Sequence, residues 1–299
     1  MHSTYKKWVY LVLLSLVWGS SYILIKKGLL GLNPIQLGSL RILFTLVILM
    51  LAGWKHLSNI PRDKWKWIVL SGYLGTFFPN FLFAFAETKI DSAIAAVLNG
   101  LTPLFTLLTG LFFFGIGLRK KKLIGVFVGL IGTLFLVLDQ VQTSGIENGL
   151  YTLLVAIAAL CYAVNINIIK YKIVGVTSMG IALGNFIAIG FPAMFIFFFS
   201  GFHTLNFQAP VVMHSIGYIF LLAFFGTAIA KVIFNDLVAI ASPVFSSSIT
   251  FLLPLVAFFW GVLDGERLGW LHALAAITIL MGVYLVMDPK KTHPTKGRV

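Results

Sequence analysis

The chain has 299 residues, of which 59% are hydrophobic and 10% charged, with a mean hydropathy of +0.99 and a formal net charge of +13. So few charged side chains cannot cover the surface of a water-soluble domain of this length, which excludes a soluble fold. The positive charge does not point to nucleic acid either, because the basic residues lie in short loops between long apolar runs.

About 20 apolar residues suffice for a helix to cross the hydrocarbon core of a bilayer. Ten such runs are predicted, at 8–28, 34–53, 66–86, 92–114, 123–139, 149–169, 178–200, 215–236, 243–263 and 268–287. The first follows Lys6 and Lys7 as a signal peptide would, but it is too long and lacks a small-residue cleavage site, so it counts as a helix. Lipid cannot satisfy backbone polar groups, so every span must be helical. The fold class expected is an all-α membrane protein. With the N-terminus taken as cytoplasmic, sixteen Lys and Arg residues fall on that side and four, Lys26, Lys27, Lys89 and Arg267, on the other. That bias predicts a multi-pass protein of the cell (inner) membrane with both termini cytoplasmic.

Along the chain, motifs recur at a fixed distance. Trp18-Gly19-Ser20-Ser21-Tyr22 with Lys26 in the first helix returns 144 residues later as Tyr162-Ala163-Val164-Asn165-Ile166 with Lys170 in the sixth. Arg41 in the second helix pairs in this way with Asn185 in the seventh. Phe83 and Pro103 in the third and fourth helices return 151 residues later as Phe234 and Pro254 in the eighth and ninth. The insertion near 201–214 accounts for the change of offset, and the polar stretch Gln140 to Asn148 separates the halves. Residues 1–145 and 146–299 are therefore expected to be two five-helix repeats. An odd number of helices per copy makes the second copy enter the bilayer from the opposite face, the inverted-repeat plan of secondary transporters around a central cavity.

Within that plan, Lys231 in the eighth helix is the leading candidate for chemistry. An ammonium near mid-membrane costs several kcal/mol unless it faces protein or water. It either anchors an anionic substrate group or escapes by snorkelling or pairing with Asp236. Its repeat mate is Asn80 in the third helix. Arg41 needs buried partners as well, and its position away from the helix centre favours a gating contact over a substrate contact. Uncharged donors and acceptors suited to a polar solute are Ser21 and Tyr22, Asn99, Asn165 and Asn167, Asn235 and Ser247, with Trp18 as a stacking surface. The mid-helix prolines Pro103 and Pro254 are either hinges lining the cavity or simply tolerated, whereas Pro79 and Pro192 are expected to be only tolerated. Gly125-x-x-x-Gly129 with Gly132 in the fifth helix suits either a homodimer seam or packing inside one bundle.

Trp18-Gly19-Ser20-Ser21, Asn33-Pro34 followed by Arg41, the fourth-helix Pro103, and Pro254 followed by Gly265-Glu266 together resemble the EamA-type permeases of the drug/metabolite transporter superfamily. The resemblance covers nearly the whole chain. It implies ten helices in an inverted repeat, a cavity lined mainly by helices one, three, four, six, eight and nine, and export or exchange of small polar metabolites such as amino acids. One departure is that Gly265-Glu266 has no counterpart after the fourth helix, where the chain reads Gly115-Ile116-Gly117-Leu118-Arg119.

Other classes fit less well. No Asp or Glu lies at mid-span, since Glu87, Asp139 and Asp236 are at helix ends, so a carboxylate proton relay is not evident. No Walker-type loop is present, which argues against ATP as the driver. The six histidines are scattered without a metal-binding or nucleophile pairing, and the single Cys161 excludes an internal disulfide. The expectation is therefore a transporter with a small-molecule substrate, the lipid bilayer around it, and no cofactor, metal or nucleic-acid partner. A membrane enzyme acting on a lipid-linked substrate, or a passive channel, is the alternative.

Overall fold

The computed structural model describes residues 2–115, 124–125, 127–129, 131–132, 134–135, 146–266 and 269–287, and all regular structure in them is helical. Eight helices are long and apolar enough to cross a membrane. In the ordinals of the predicted spans these are the first (Tyr5–Gly28), second (Pro34–His56), third (Arg62–Ala86), fourth (Ser92–Phe114), sixth (Gly149–Lys172), seventh (Ser178–Phe199), eighth (Pro210–Ile240) and ninth (Pro243–Leu263). The tenth is the helix Trp270–Met287, with its apolar stretch at Ala273–Gly282. The fifth predicted span and the boundary at 140–145 fall mostly or wholly outside the described residues, as do Arg119 to Lys122.

Local sequence explains where the helices start. Asn33 Oδ1 accepts from the Gln36 backbone N at 2.9 Å while Gln36 Oε1 accepts from the Asn33 N at 3.0 Å, a reciprocal cap, and Pro34 supplies a first-turn residue that needs no donor. Thr177, 144 residues on, caps the seventh helix through the Gly180 N–H at 3.1 Å. Ser242 and Pro243 begin the ninth helix by the same logic. The eighth helix is longer than the predicted 215–236 because Pro210 opens it and the extended backbone at Ala241 and Ser242, before Pro243, closes it.

Polarity is inverted relative to a soluble protein. Phe112, Phe113, Phe191, Phe198 and Phe199 lie outermost, each about 70% exposed, whereas Asn80, Asn165, Asn185, Asn235 and Lys231 are buried. An apolar shell around polar helix contacts is what a lipid solvent demands. The helices that meet in the middle are irregular. The first is interrupted at Ser20, the fourth at Gly100 and Leu101 just before Pro103, and the ninth by a tightened turn at Ser248–Phe251 just before Pro254. The third and eighth pass through π-helical turns at Tyr73–Phe77 and Phe224–Ile229. Pro79 lies two residues after the first of these turns, and Pro192 lies inside an unbroken helix.

Gly125 and Gly129 pack within the chain. A Cβ on Gly282 would come within 2.4 Å of the Gly129 backbone N and 2.6 Å of the Gly125 carbonyl. The stripe thus lets the tenth helix approach the fifth, as the bundle-packing alternative expects.

Candidate functional site

The irregular turns enclose one cavity. Its wall includes Trp18, Ser21 and Tyr22 from the first helix, Asn80 and Phe83 from the third, Asn99 and Thr102 from the fourth and Asn165 from the sixth. Lys231 comes from the eighth and Ser247 and Thr250 from the ninth, and the second helix adds Arg41.

The two π turns place matching glycines at its centre. Gly75 O accepts from Lys231 Nζ at 2.8 Å, and Gly226 O, 151 residues on, accepts from Trp18 Nε1 at 2.9 Å. Both glycines allow a close approach of neighbouring side chains. A Cβ at Gly75 would sit 2.3 Å from Asn165 Nδ2, and one at Gly226 would sit 2.8 Å from Ser21 Oγ. Ser21 and Asn165 are themselves 144 residues apart, so the two contacts correspond residue for residue. Turns with i→i+5 bonding concentrate at functional sites because they turn side chains and carbonyls out of the regular ladder.

Lys231 is 6% exposed. It does not take the Asp236 escape route: that carboxylate accepts from Ser178, Tyr10 (3.4 Å) and pairs with Lys6 (3.6 Å). Arg41 Nε donates to Thr227 Oγ1 at 2.9 Å and Nη1 to Asn80 Oδ1 at 3.3 Å, while Asn80 Nδ2 donates to Gly38 O at 2.6 Å. Two cationic side chains therefore share a wall that contains no carboxylate among the described residues. Further round, Asn99 Nδ2 donates to the Tyr22 hydroxyl at 2.8 Å and Ser71 Oγ donates to Asn165 Oδ1 at 2.6 Å.

Arg41, expected to favour a gating over a substrate contact, lines the cavity wall. Two candidates lie elsewhere. Asn167 donates to Thr106 O and Thr109 Oγ1, both at 2.9 Å, in the seam with the fourth helix; two residues on from Asn165 is about 200° round a helix, so both cannot face one cavity. Asn235 donates to Ser178 O at 3.1 Å, one turn beyond Lys231 and outside the wall. Asn185 is fully buried beside Ser71, away from the cavity. Pro103 and Pro254 stand at the two helix breaks, next to the wall residues Thr102 and Leu253.

Both ends of the cavity are tied. At one end Lys26 Nζ lies 3.0 Å from Asp264 and 2.9 Å from Glu266, and Lys27 pairs with Asp264. Glu266, whose side chain is fully buried, also accepts from Ser92 Oγ at 2.6 Å and from the Ser92 and Ala93 N–H groups at 3.2 and 3.3 Å, so it caps the fourth helix from the end of the ninth. Gly265, with φ of +81°, makes the turn that aims it. Desolvation opposes ionisation of Asp264, but the hydrogen bonds from Lys27 and Lys26 prevail and hold its carboxyl below the usual aspartate range. At the other end Lys170 Nζ donates to the Val238 and Ala239 carbonyls at 3.1 and 3.0 Å. The clamp was visible in sequence only as the Gly265-Glu266 pair; its partners were not. Glu266→Ala, which strands three donors around a buried site, is expected to cost about 1–3 kcal/mol, seen as a lower unfolding midpoint of the purified protein.

The model of the EamA-like transporter family matches this sequence twice, at residues 6–138 and 149–288. The chain belongs to the EamA-like transporter family. It is 29% identical over 289 residues to the "Uncharacterized inner membrane transporter YedA" of Escherichia coli K12, across 95% of this chain and 91% of that one. It is 26% identical over 291 residues to the "Probable amino-acid metabolite efflux pump" of the same organism, across 94% of each. A solved crystal structure shares the fold, with a TM-score of 0.64 at 17% identity over 97% of this chain and 99% of its own. This EamA-like member of the drug/metabolite transporter superfamily is thus a multi-pass inner-membrane transporter.

Proposed function

We propose that the chain is a secondary transporter that exports or exchanges small polar metabolites bearing an anionic group, such as amino acids, by alternating access. The reading takes it as ten helices in two inverted repeats, with the termini cytoplasmic and the Lys26 end facing outward. The observation that carries it is the cation pair of the cavity wall. Lys231 is held by one backbone carbonyl and Arg41 by neutral side chains, and the cavity wall contains no carboxylate among the described residues. Burying two uncompensated charges is costly, and an anionic solute supplies what the wall lacks, with Arg41 able to grip a carboxylate through two donors. The matched contacts of Gly75 with Asn165 and Gly226 with Ser21 support two related halves meeting at this site. The tied ends support a cavity that opens on one side at a time, by rocking of one repeat against the other. The name of the E. coli efflux pump supports amino-acid metabolites as the solute class.

Counterflow in proteoliposomes against a panel of labelled amino acids, organic acids, nucleosides and amines tests it. Uptake confined to solutes with a carboxylate or phosphate is expected; uptake of neutral and cationic solutes alone would overturn it. Arg41→Ala is expected to lower apparent affinity for the transported anion about tenfold, since a hydrogen bond to a charged group contributes about 1.5–3 kcal/mol. Competition by unlabelled solute measures that shift.

A further inference from the structure

One carboxyl at the Lys26 end is left out of the ion-pair clamp. Glu87, the residue after the third helix, is 7% exposed, and neither side-chain oxygen has a hydrogen-bond partner among the described residues. The titratable groups facing it are Lys26 and Tyr22 on the first helix, Arg41 on the second and Glu266 after the ninth. Lys89 and Asp91, next along the chain, have contacts of their own. A buried carboxylate without donors is costly, and its place at a helix C-terminus adds repulsion from the helix dipole. Burial, with the Glu266 carboxylate adding to it, holds the Glu87 carboxyl well above the usual range against the pull of Arg41 and Lys26.

The second half displays the alternative arrangement. Lys170 is the mate of Lys26, and the carbonyls it holds, Val238 and Ala239, lie 151 residues after Glu87 and Thr88. At one end, then, the lysine grips the end of the eighth helix. At the other the matching lysine is held by Asp264 and Glu266, with no hydrogen bond to the end of the third helix among the described residues. Rocking one repeat against the other would bring the end of the third helix to Lys26 as the end of the eighth lies to Lys170; Asp264 and Glu266 correspond by offset to Phe113 and Gly115, so the carboxylate clamp belongs to the Lys26 end alone.

We propose that Glu87 is a proton-binding site coupled to the gate at the Lys26 end, protonated while Lys26 is held by Asp264 and Glu266, and ionised when the end opens and Lys26 moves onto it. This rests on the alternating-access reading above. The exchange is acid–base only. As the gate closes, the Lys26 ammonium leaves Glu87 and one proton from the water on that side bonds to a Glu87 oxygen; as it opens, the same proton returns to water. Closure thus captures one proton, and an acidic solution on that side favours the closed gate.

The test uses full-length protein in liposomes, with Cys161→Ser, and spin labels on cysteines at Leu30 and Leu263, which are 66% and 65% exposed on either side of the clamp. Label separation is measured by pulsed electron resonance from acidic to alkaline pH, without substrate. The open, longer-distance population is expected to grow as pH rises, by up to about tenfold per pH unit, the limit for one linked proton. Glu87→Gln, an isosteric change, is expected to stay closed at all pH values, and Glu87→Asp to restore the dependence. A wild-type distance that ignores pH, opening on acidification as loss of the Asp264 and Glu266 charges would produce, or an unchanged profile in Glu87→Gln would each overturn the proposal. Because no solute is present, a failed counterflow panel beside an intact pH response counts against the transport reading and not against the proton site.

Discussion

Lys231→Met leaves the protein in the membrane at normal abundance but abolishes counterflow of the transported anion. Methionine keeps the length and apolar stem of the side chain, so the packing of the eighth helix against its neighbours survives and what disappears is the ammonium. The Gly75 carbonyl loses the Lys231 donor and, among the described residues, the wall keeps Arg41 as its cation. A charged hydrogen bond of about 1.5–3 kcal/mol corresponds to a loss of roughly ten- to a hundredfold in binding, and the loss acts again on every occluded intermediate of the cycle. Lys231→Arg, which keeps the charge but not the compact ammonium, is expected to retain a measurable fraction. Paired measurements of counterflow and membrane abundance decide the matter. Wild-type transport by Lys231→Met would remove the anchor role and with it the argument for an anionic solute.

The largest structural effect is expected at the seam of the fifth and tenth helices. Gly282→Ala places a methyl group 2.4 Å from the Gly129 backbone N, 2.6 Å from the Gly125 carbonyl and 2.7 Å from the Gly129 Cα. No side chain can rotate away, because the atoms met are main chain, so the helices themselves must separate. Overpacking of this kind costs about 1–3 kcal/mol, and here the upper part of that range is expected, read as a lower unfolding midpoint in detergent. Gly217→Ala is the control: the position is exposed and its added Cβ meets nothing within 4 Å, so a change within about 0.5 kcal/mol is expected. Equal losses in the two variants would show that close approach does not set the effect, since Gly→Ala at a helical position by itself favours the helix.

These two predictions differ in how they could be reached. Lys231 stands out in any reading of the sequence, because a charge inside a 20-residue apolar run has to be explained. Its partner could not be foreseen, since a backbone carbonyl leaves no mark on the sequence. Asn80 was reachable through the repeat offset. Asn167 and Asn235 looked equally good as cavity donors, yet one faces the fourth helix and the other the start of the seventh. Arg41, which sequence alone could not assign to either a gate or a substrate contact, lines the wall. In soluble helices the apolar stripe reveals which face is inside. Here lipid makes the outside apolar as well, so that signal is nearly absent and the rotation of each helix is hidden.

Composition and the length of the apolar runs determined by themselves that this is a helical membrane protein, because lipid admits no unsatisfied backbone and a bilayer sets the helix length. The fixed offsets led to Asn80 through Lys231, and Asn33-Pro34, Ser242-Pro243 and the mid-helix prolines marked where helices begin or break. Only the tertiary structure decided which polar groups share the cavity, that Glu266 clamps the fourth helix, and that Glu87, at a helix end by sequence, is buried with no hydrogen-bond partner for its carboxyl oxygens among the described residues. Those outcomes depend on how neighbouring helices rotate and how closely they approach. These are relations between distant segments, and the side-chain pattern of any one helix does not encode them.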